Sequence, residues 1–144
     1  MIYDIAILGG GASGLMAACA LSRNGRRIVI LEKQNRVGRK LLSTGNGRCN
    51  FTNLKAWNEF SAHIHPKPNF LKPSFYNLSS EKMLNFLEDN GMQYVVERGD
   101  RAFPASYLAT DVVDALARAA RNAGAEILCS KEVESVISSK ANDS

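Results

Sequence analysis

The chain has 144 residues, enough for one domain with a real core, since a chain of this size buries roughly two thirds of its unfolded surface on folding. Hydrophobic content of 45% against 22% charged residues is that of an ordinary globular protein, and no apolar run approaches the roughly 20 residues a bilayer-spanning helix needs. The net charge of +4 is spread without a dense basic block, so charge alone does not choose between nucleic acid and a small anionic ligand.

The N-terminus, MIYDIAILGGG, has neither a basic leader region nor a small-residue cleavage site, which gives the expectation of a cytoplasmic protein without a membrane partner. Cys19, Cys49 and Cys129 are odd in number and form no CxxC pair, so neither a disulfide framework nor a zinc ribbon is suggested.

Ile5 to Leu8 is a short apolar run ahead of three glycines, and Leu15, Ala18, Cys19 and Leu21 then recur at near-helical spacing up to Asn24-Gly25. Arg27 to Glu32 follows as a β-branched run without polar alternation, as suits a parallel strand buried on both faces. These elements predict a strand-helix-strand unit.

Residues 34–80 show little periodicity and are read as one long irregular segment, a length that in compact domains usually carries function. A helix is predicted over Glu81 to Asn90 behind Ser79-Ser80, then a short strand over Gln93 to Glu97. Thr110 is read as the cap of a helix bearing Val112, Val113, Leu116, Ala120 and Ala123 on one side. Ala125 to Cys129 reads as a third strand, and Glu134 to Ile137 as the start of another before a polar tail from Ser138 to Ser144.

Gly9-x-Gly11-x-x-Gly14 lies between a strand and a helix, the setting in which this pattern binds a dinucleotide. Gly9 permits the turn, Gly11 lets a pyrophosphate approach the backbone, Gly14 allows close helix-strand packing, and the helix N-terminus supplies N–H donors beside Ala12 and Ser13. Glu32, followed by Lys33, ends the second strand where a carboxylate accepts ribose hydroxyls and repels a 2'-phosphate, which favours FAD or NAD.

Ala18 and Gly25 extend the glycine pattern to GxGxxGxxxAxxxxxxG, which resembles the long fingerprint of flavoproteins related to glutathione reductase and favours FAD. Gly38 to Asn50, read GRKLLSTGNGRCN, with Thr52-Asn53, is similar to the signature of bacterial NAD(P)/FAD-dependent, aminoacetone-oxidase-like flavoproteins. RAFPAS at 101–106, followed by Ala109, Asp111 and VVDAL at 112–116, is similar to a second segment of that family.

The resemblance implies an α/β, Rossmann-type FAD-binding domain, with a parallel sheet ordered third, second, first strand and the chain ending before an inserted substrate domain. It implies FAD as cofactor, NAD(P)H as candidate electron donor, and hydride transfer through flavin N5 to or from a small organic substrate, an enone or oxygen among the acceptors. The loop of Thr44, Gly45, Asn46, Gly47, Cys49 and Asn50 would hold the flavin half, with Arg39, Lys40 or Arg48 balancing its charge, and the backbone near Val133 would meet the adenine.

Other readings stand beside this one. A dinucleotide-binding fragment without turnover fits the missing C-terminal strands. Trp57, Phe60, Phe70, Phe75 and Tyr76, interleaved with lysines, would suit nucleic acid, but the glycine motif and Glu32 already account for an anionic ligand, so no nucleic-acid partner is expected. Cys49 lacks a resolving cysteine and is read as packing, His63-x-His65 as a solvated loop, and Phe103-Pro104 as a loop anchor. No catalytic residue and no metal ligand is assigned.

Overall fold

A computed structural model describes residues 2–21 and 25–138. In chain order the elements are strand β1 (Ile5–Leu8), helix α1 (Ala12–Leu21), β2 (Ile28–Leu31), α2 (Arg39–Leu42), β3 (Thr52–Asn53), α3 (Trp57–Ser61), α4 (Lys72–Asn77), α5 (Ser80–Asp89), β4 (Tyr94–Glu97), β5 (Arg101–Pro104), α6 (Ala109–Asn122) and β6 (Ala125–Leu128). Short 3-10 turns occupy Thr44–Gly47 and Pro68–Leu71. The chain forms two compact units, one of Met1–Val37 with Ala120–Ser144 and one of Gly38–Ala119.

The first unit is built on a parallel sheet in the order β1-β2-β6, with Ile5 opposite Ile28 and Ile28 opposite Ala125. The central strand is β2, and its unbroken apolar sequence follows from that place: Ile28, Val29 and Ile30 are all buried. Helix α1 packs on β1 and β2 and buries Leu15 and Ala18. This is the Rossmann-type arrangement and strand order expected from the sequence.

The second unit has an antiparallel sheet in the order β3-β5-β4, with Thr52 opposite Ala102 and Val95 opposite Phe103. The Ser79 hydroxyl caps α5 by accepting the Lys82 N–H, as its sequence predicts, and Leu84 and Leu87 form the buried face of that helix. Most of α6 belongs to this unit and is amphipathic: Val112, Val113 and Leu116 are buried while Asp114 and Arg118 are exposed. Gly38 has φ +72, and a Cβ there would lie 2.6 Å from Val113 Cγ1, so the entry to α2 requires glycine on both counts.

Four details differ from the sequence reading. Residues 34–80 are not irregular throughout, for they hold α2, β3, α3 and α4, each too short to show a hydrophobic period. Strand β5 was not foreseen: RAFP has a charge at one end and a proline at the other, and its place comes from pairing on both sides. Thr110 lies inside the first turn of α6 rather than before it, and the entry to the helix is braced by Ser106, whose hydroxyl accepts the Leu108 N–H and donates to the Asp111 carboxylate. Glu134 to Ile137 forms no strand, and Val136 and Ile137 stand exposed. Asn24 and the tail beyond Ser138 lie outside the described residues.

Candidate functional site

The loop from β1 to α1 carries the glycines, and their surroundings differ in an informative way. Gly9 has φ +103, a conformation open to glycine and costly to other residues. A Cβ on Gly14 would fall 2.1 Å from the Gly9 carbonyl oxygen, so this position lets α1 close onto the loop. A Cβ on Gly11 would meet nothing within 4 Å, which leaves room in front of the backbone for a ligand. The turn at Gly9 and the close approach at Gly14 are those the sequence reading expected.

Gly10 was not singled out by the motif, yet it is tightly enclosed. A Cβ there would stand 2.4 Å from Val37 Cγ1 and 3.3 Å from Glu32 Oε2. Its N–H donates to Glu32 Oε2 at 2.8 Å, and the Gln34 N–H donates to Glu32 Oε1 at 2.8 Å. The carboxylate thus bridges the glycine loop and the segment that follows β2. An ionised carboxylate has about four acceptor sites, so both oxygens keep capacity for a further hydroxyl.

Beside Glu32 lies a cavity of about 340 Å³, walled by Leu8, Gly9, Leu31, Lys33, Lys131, Glu132 and Val133. It sits at the carboxyl ends of the parallel strands, where ligands of open α/β sheets bind. Backbone bonds from Ser130 N–H to the Gln34 carbonyl and from Lys131 N–H to the Glu32 carbonyl, at 2.8 and 2.9 Å, fix the far wall. Val133, Lys33 and Glu32, which lie far apart in the sequence, are brought together here. Lys131 and Glu132 were missed, because only the pairing of β2 with β6 carries them to this place.

The donor set and the shape fit the adenosine and diphosphate half of FAD. An acidic acceptor faces the cavity, an open glycine lies on the loop, and the first turn of α1 presents Ala12 and Ser13, both exposed. Lys33 and Lys131 each add a cation to the wall.

The remaining predicted residues lie in the second unit. Arg39 and Lys40 are exposed on α2. Gly45 and Asn46 both have φ 54, Gly47 has φ 85 and Cys49 has φ 56, so the turn is held in left-handed conformations that cost energy at Asn46 and Cys49. Thr44 donates its hydroxyl to the Leu41 carbonyl at 2.6 Å. Cys49 is buried, and burial pushes its thiol above the ordinary range while a bond from Thr44 opposes the shift. Asn50, with its amide oriented to satisfy both atoms, donates to the carbonyls of Thr52 and Ala102 at 2.9 and 3.1 Å.

Arg48 is engaged within its own unit. Its guanidinium pairs with Glu97 and lies 4.6 Å from the ring centroids of both Phe103 and Tyr107. Tyr107 itself has φ 58, rare for a bulky side chain, and its N–H donates to the Pro104 carbonyl at 2.8 Å. Glu97 also faces Arg101 at 3.6 Å. This cluster ties the turn at 44–50 to β4 and β5, and gives Phe103 the anchoring place that its sequence context suggested.

The chain is 33% identical over 134 residues to the 3-dehydro-bile acid delta(4,6)-reductase of Clostridium scindens, covering 92% of this chain and 32% of that protein. It is 30% identical over 131 residues to the ribosomal RNA dihydrouridine synthase of Haemophilus influenzae, covering 90% of this chain and 32% of that one. It therefore spans about a third of the length of these relatives. The fold is shared with the 3-ketosteroid-delta4-(5alpha)-dehydrogenase of Rhodococcus jostii, at a TM-score of 0.64 and 14% identity over 89% of this chain and 38% of that structure. Among the described residues no helix is long and apolar enough to cross a membrane. The HI0933-like protein Rossmann domain matches residues 3–144, and the chain, with its parallel sheet, glycine loop and Glu32, belongs to this family of flavin-dependent oxidoreductase Rossmann domains.

Proposed function

We propose that this chain binds FAD through its first unit and serves, in the protein that carries it, a flavin-dependent reductase acting on a carbon-carbon double bond next to a carbonyl. The observation that carries the reading is the Glu32 carboxylate, held by Gly10 and Gln34 in the wall of the 340 Å³ cavity, on a glycine loop whose Gly11 is unobstructed. The relatives named for reduction of a dehydro-bile acid and for making dihydrouridine support the acceptor class.

In this reading the Gly9 to Gly14 loop and the first turn of α1 bind the diphosphate, Glu32 accepts the ribose hydroxyls, and the backbone at Val133 borders the adenine. Lys33 and Lys131 offset negative charge. Glu32 excludes a 2'-phosphate from this cavity by charge, so selection between FAD and an NADP-type nucleotide is made here. The turn from Thr44 to Asn50, with Arg39 and Lys40 before it, is assigned to the flavin half on the strength of its sequence signature, as is the narrower kinship with aminoacetone-oxidase-like flavoproteins. Arg48 then acts by holding that turn in shape through Glu97, Phe103 and Tyr107.

When bound, FAD supplies a two-electron carrier, through which a hydride from NADH or NADPH, with a proton from solvent, would saturate the acceptor's double bond. A dinucleotide-binding module without turnover is the second reading, favoured by the third of the relatives' length that the chain spans. Anaerobic mixing of the FAD-loaded chain with NADH or NADPH and a cyclic enone separates the two. Bleaching of the flavin followed by enone-dependent recovery supports the reductase, and stable yellow colour with no bleaching supports the module.

A further inference from the structure

The second unit contains a cavity of about 520 Å³ between β3, α3, α4 and the start of α5. It is an open cleft, and its volume falls in the range of small-molecule sites, roughly 300–1,000 Å³. Its apolar wall is formed by Phe51, Phe60, Leu71, Phe75 and Leu78. The rings of Phe60 and Phe75 have centroids 5.1 Å apart and present a broad aromatic surface. Thr52, Ser74, Asn77 and Ser80 add hydroxyl and amide groups, and no charged side chain contributes to the wall among the described residues.

A wall without charge penalises an ionised ligand, which would lose its hydration without gaining a counter-ion. Aromatic faces with a few hydroxyls suit flat rings that carry a carbonyl or hydroxyl group. We propose that this cavity, formed by β3, α3 and α4, is a binding site for an uncharged, ring-bearing, largely apolar molecule with carbonyl or hydroxyl groups at its edge. The site lies wholly within the second unit, so its occupancy can be measured without FAD, and its failure would leave the FAD reading of the first unit untouched.

The molecule provides its own reporter. Trp57 is the single tryptophan of the chain, and its ring centroid lies 5.2 Å from that of Phe75 and 6.4 Å from that of Phe60. Titrating the chain with 4-androstene-3,17-dione while exciting Trp57 should give a saturable, one-to-one change in emission. Ser74→Phe, which fills the cavity, and Leu78→Glu, which charges its wall, should each weaken binding by at least about tenfold. Lys67→Ala should leave binding unchanged, and cholate, an anionic steroid, should bind far more weakly. Circular dichroism of each variant establishes that it is folded, and either folded variant suffices. The proposal is overturned by a non-saturating response, by equal binding to a folded cavity variant, or by cholate binding as well as the neutral steroid.

Discussion

Glu32 Oε2 lies 2.8 Å from the amide nitrogen of Gly10 and accepts its hydrogen bond, so the end of β2 and the glycine loop are one structure before any nucleotide arrives. Replacing Glu32 with Ala leaves the amides of Gly10 and Gln34 without their acceptor, at a cost of about 1–3 kcal/mol. FAD affinity should fall at least about tenfold, since the ribose loses its partner as well. Glu32→Gln, which keeps one acceptor oxygen, should lie between the wild type and Glu32→Ala in both melting temperature and affinity.

Gly10 and Gly11 should separate folding from binding. Gly10→Ala pushes a methyl group into Val37 and should destabilise the chain by about 1–3 kcal/mol, read as a lower melting temperature. Gly11→Leu places its side chain in open space, so the melting temperature should stay close to that of the wild type while flavin is lost from the purified protein. Equal loss of stability in both variants would contradict the assignment of Gly11 to the ligand.

Arg48 should behave as a residue that holds the turn. Arg48→Lys keeps the charge but loses the planar group that lies against Phe103 and Tyr107, at a cost of about 1 kcal/mol for this half-exposed site. Thermal melting should therefore show Arg48→Lys nearer to Arg48→Ala than to the wild type. A lysine variant with unchanged stability and altered flavin absorbance would point instead to a charge acting on the cofactor.

Cys49 is buried and its thiol is shifted upward, so it stays protonated and poorly nucleophilic through pH 8. Labelling by iodoacetamide, mapped by mass spectrometry, should reach Cys49 only under unfolding conditions. Rapid labelling of the native protein at pH 7.5 would contradict this.

The parts of the site legible in the sequence are those set by neighbours in the chain. The strand, the glycine turn and the helix follow one another within residues 5–21, and Glu32 directly follows the next strand, so spacing alone locates them. Gly10 was illegible because its enclosure comes from the side chains of Val37 and Glu32, and nothing in GGGASG marks it apart from Gly9 and Gly11. Lys131 and Glu132 reach the cavity through the pairing of β6, a tertiary fact without a local signal. The partners of Arg48, namely Glu97, Phe103 and Tyr107, were likewise illegible, since the fold alone sets them around it.

The central claim is that the first unit binds the adenosine and diphosphate half of FAD. Its most direct test is a fluorescence titration of the purified chain with FAD, repeated with FMN and in the presence of excess ADP. The account predicts saturable one-to-one FAD binding, far weaker binding of FMN, displacement of FAD by ADP, and loss of binding in Glu32→Arg. A folded chain that binds FMN as well as FAD, or that holds FAD unaffected by ADP, would contradict it.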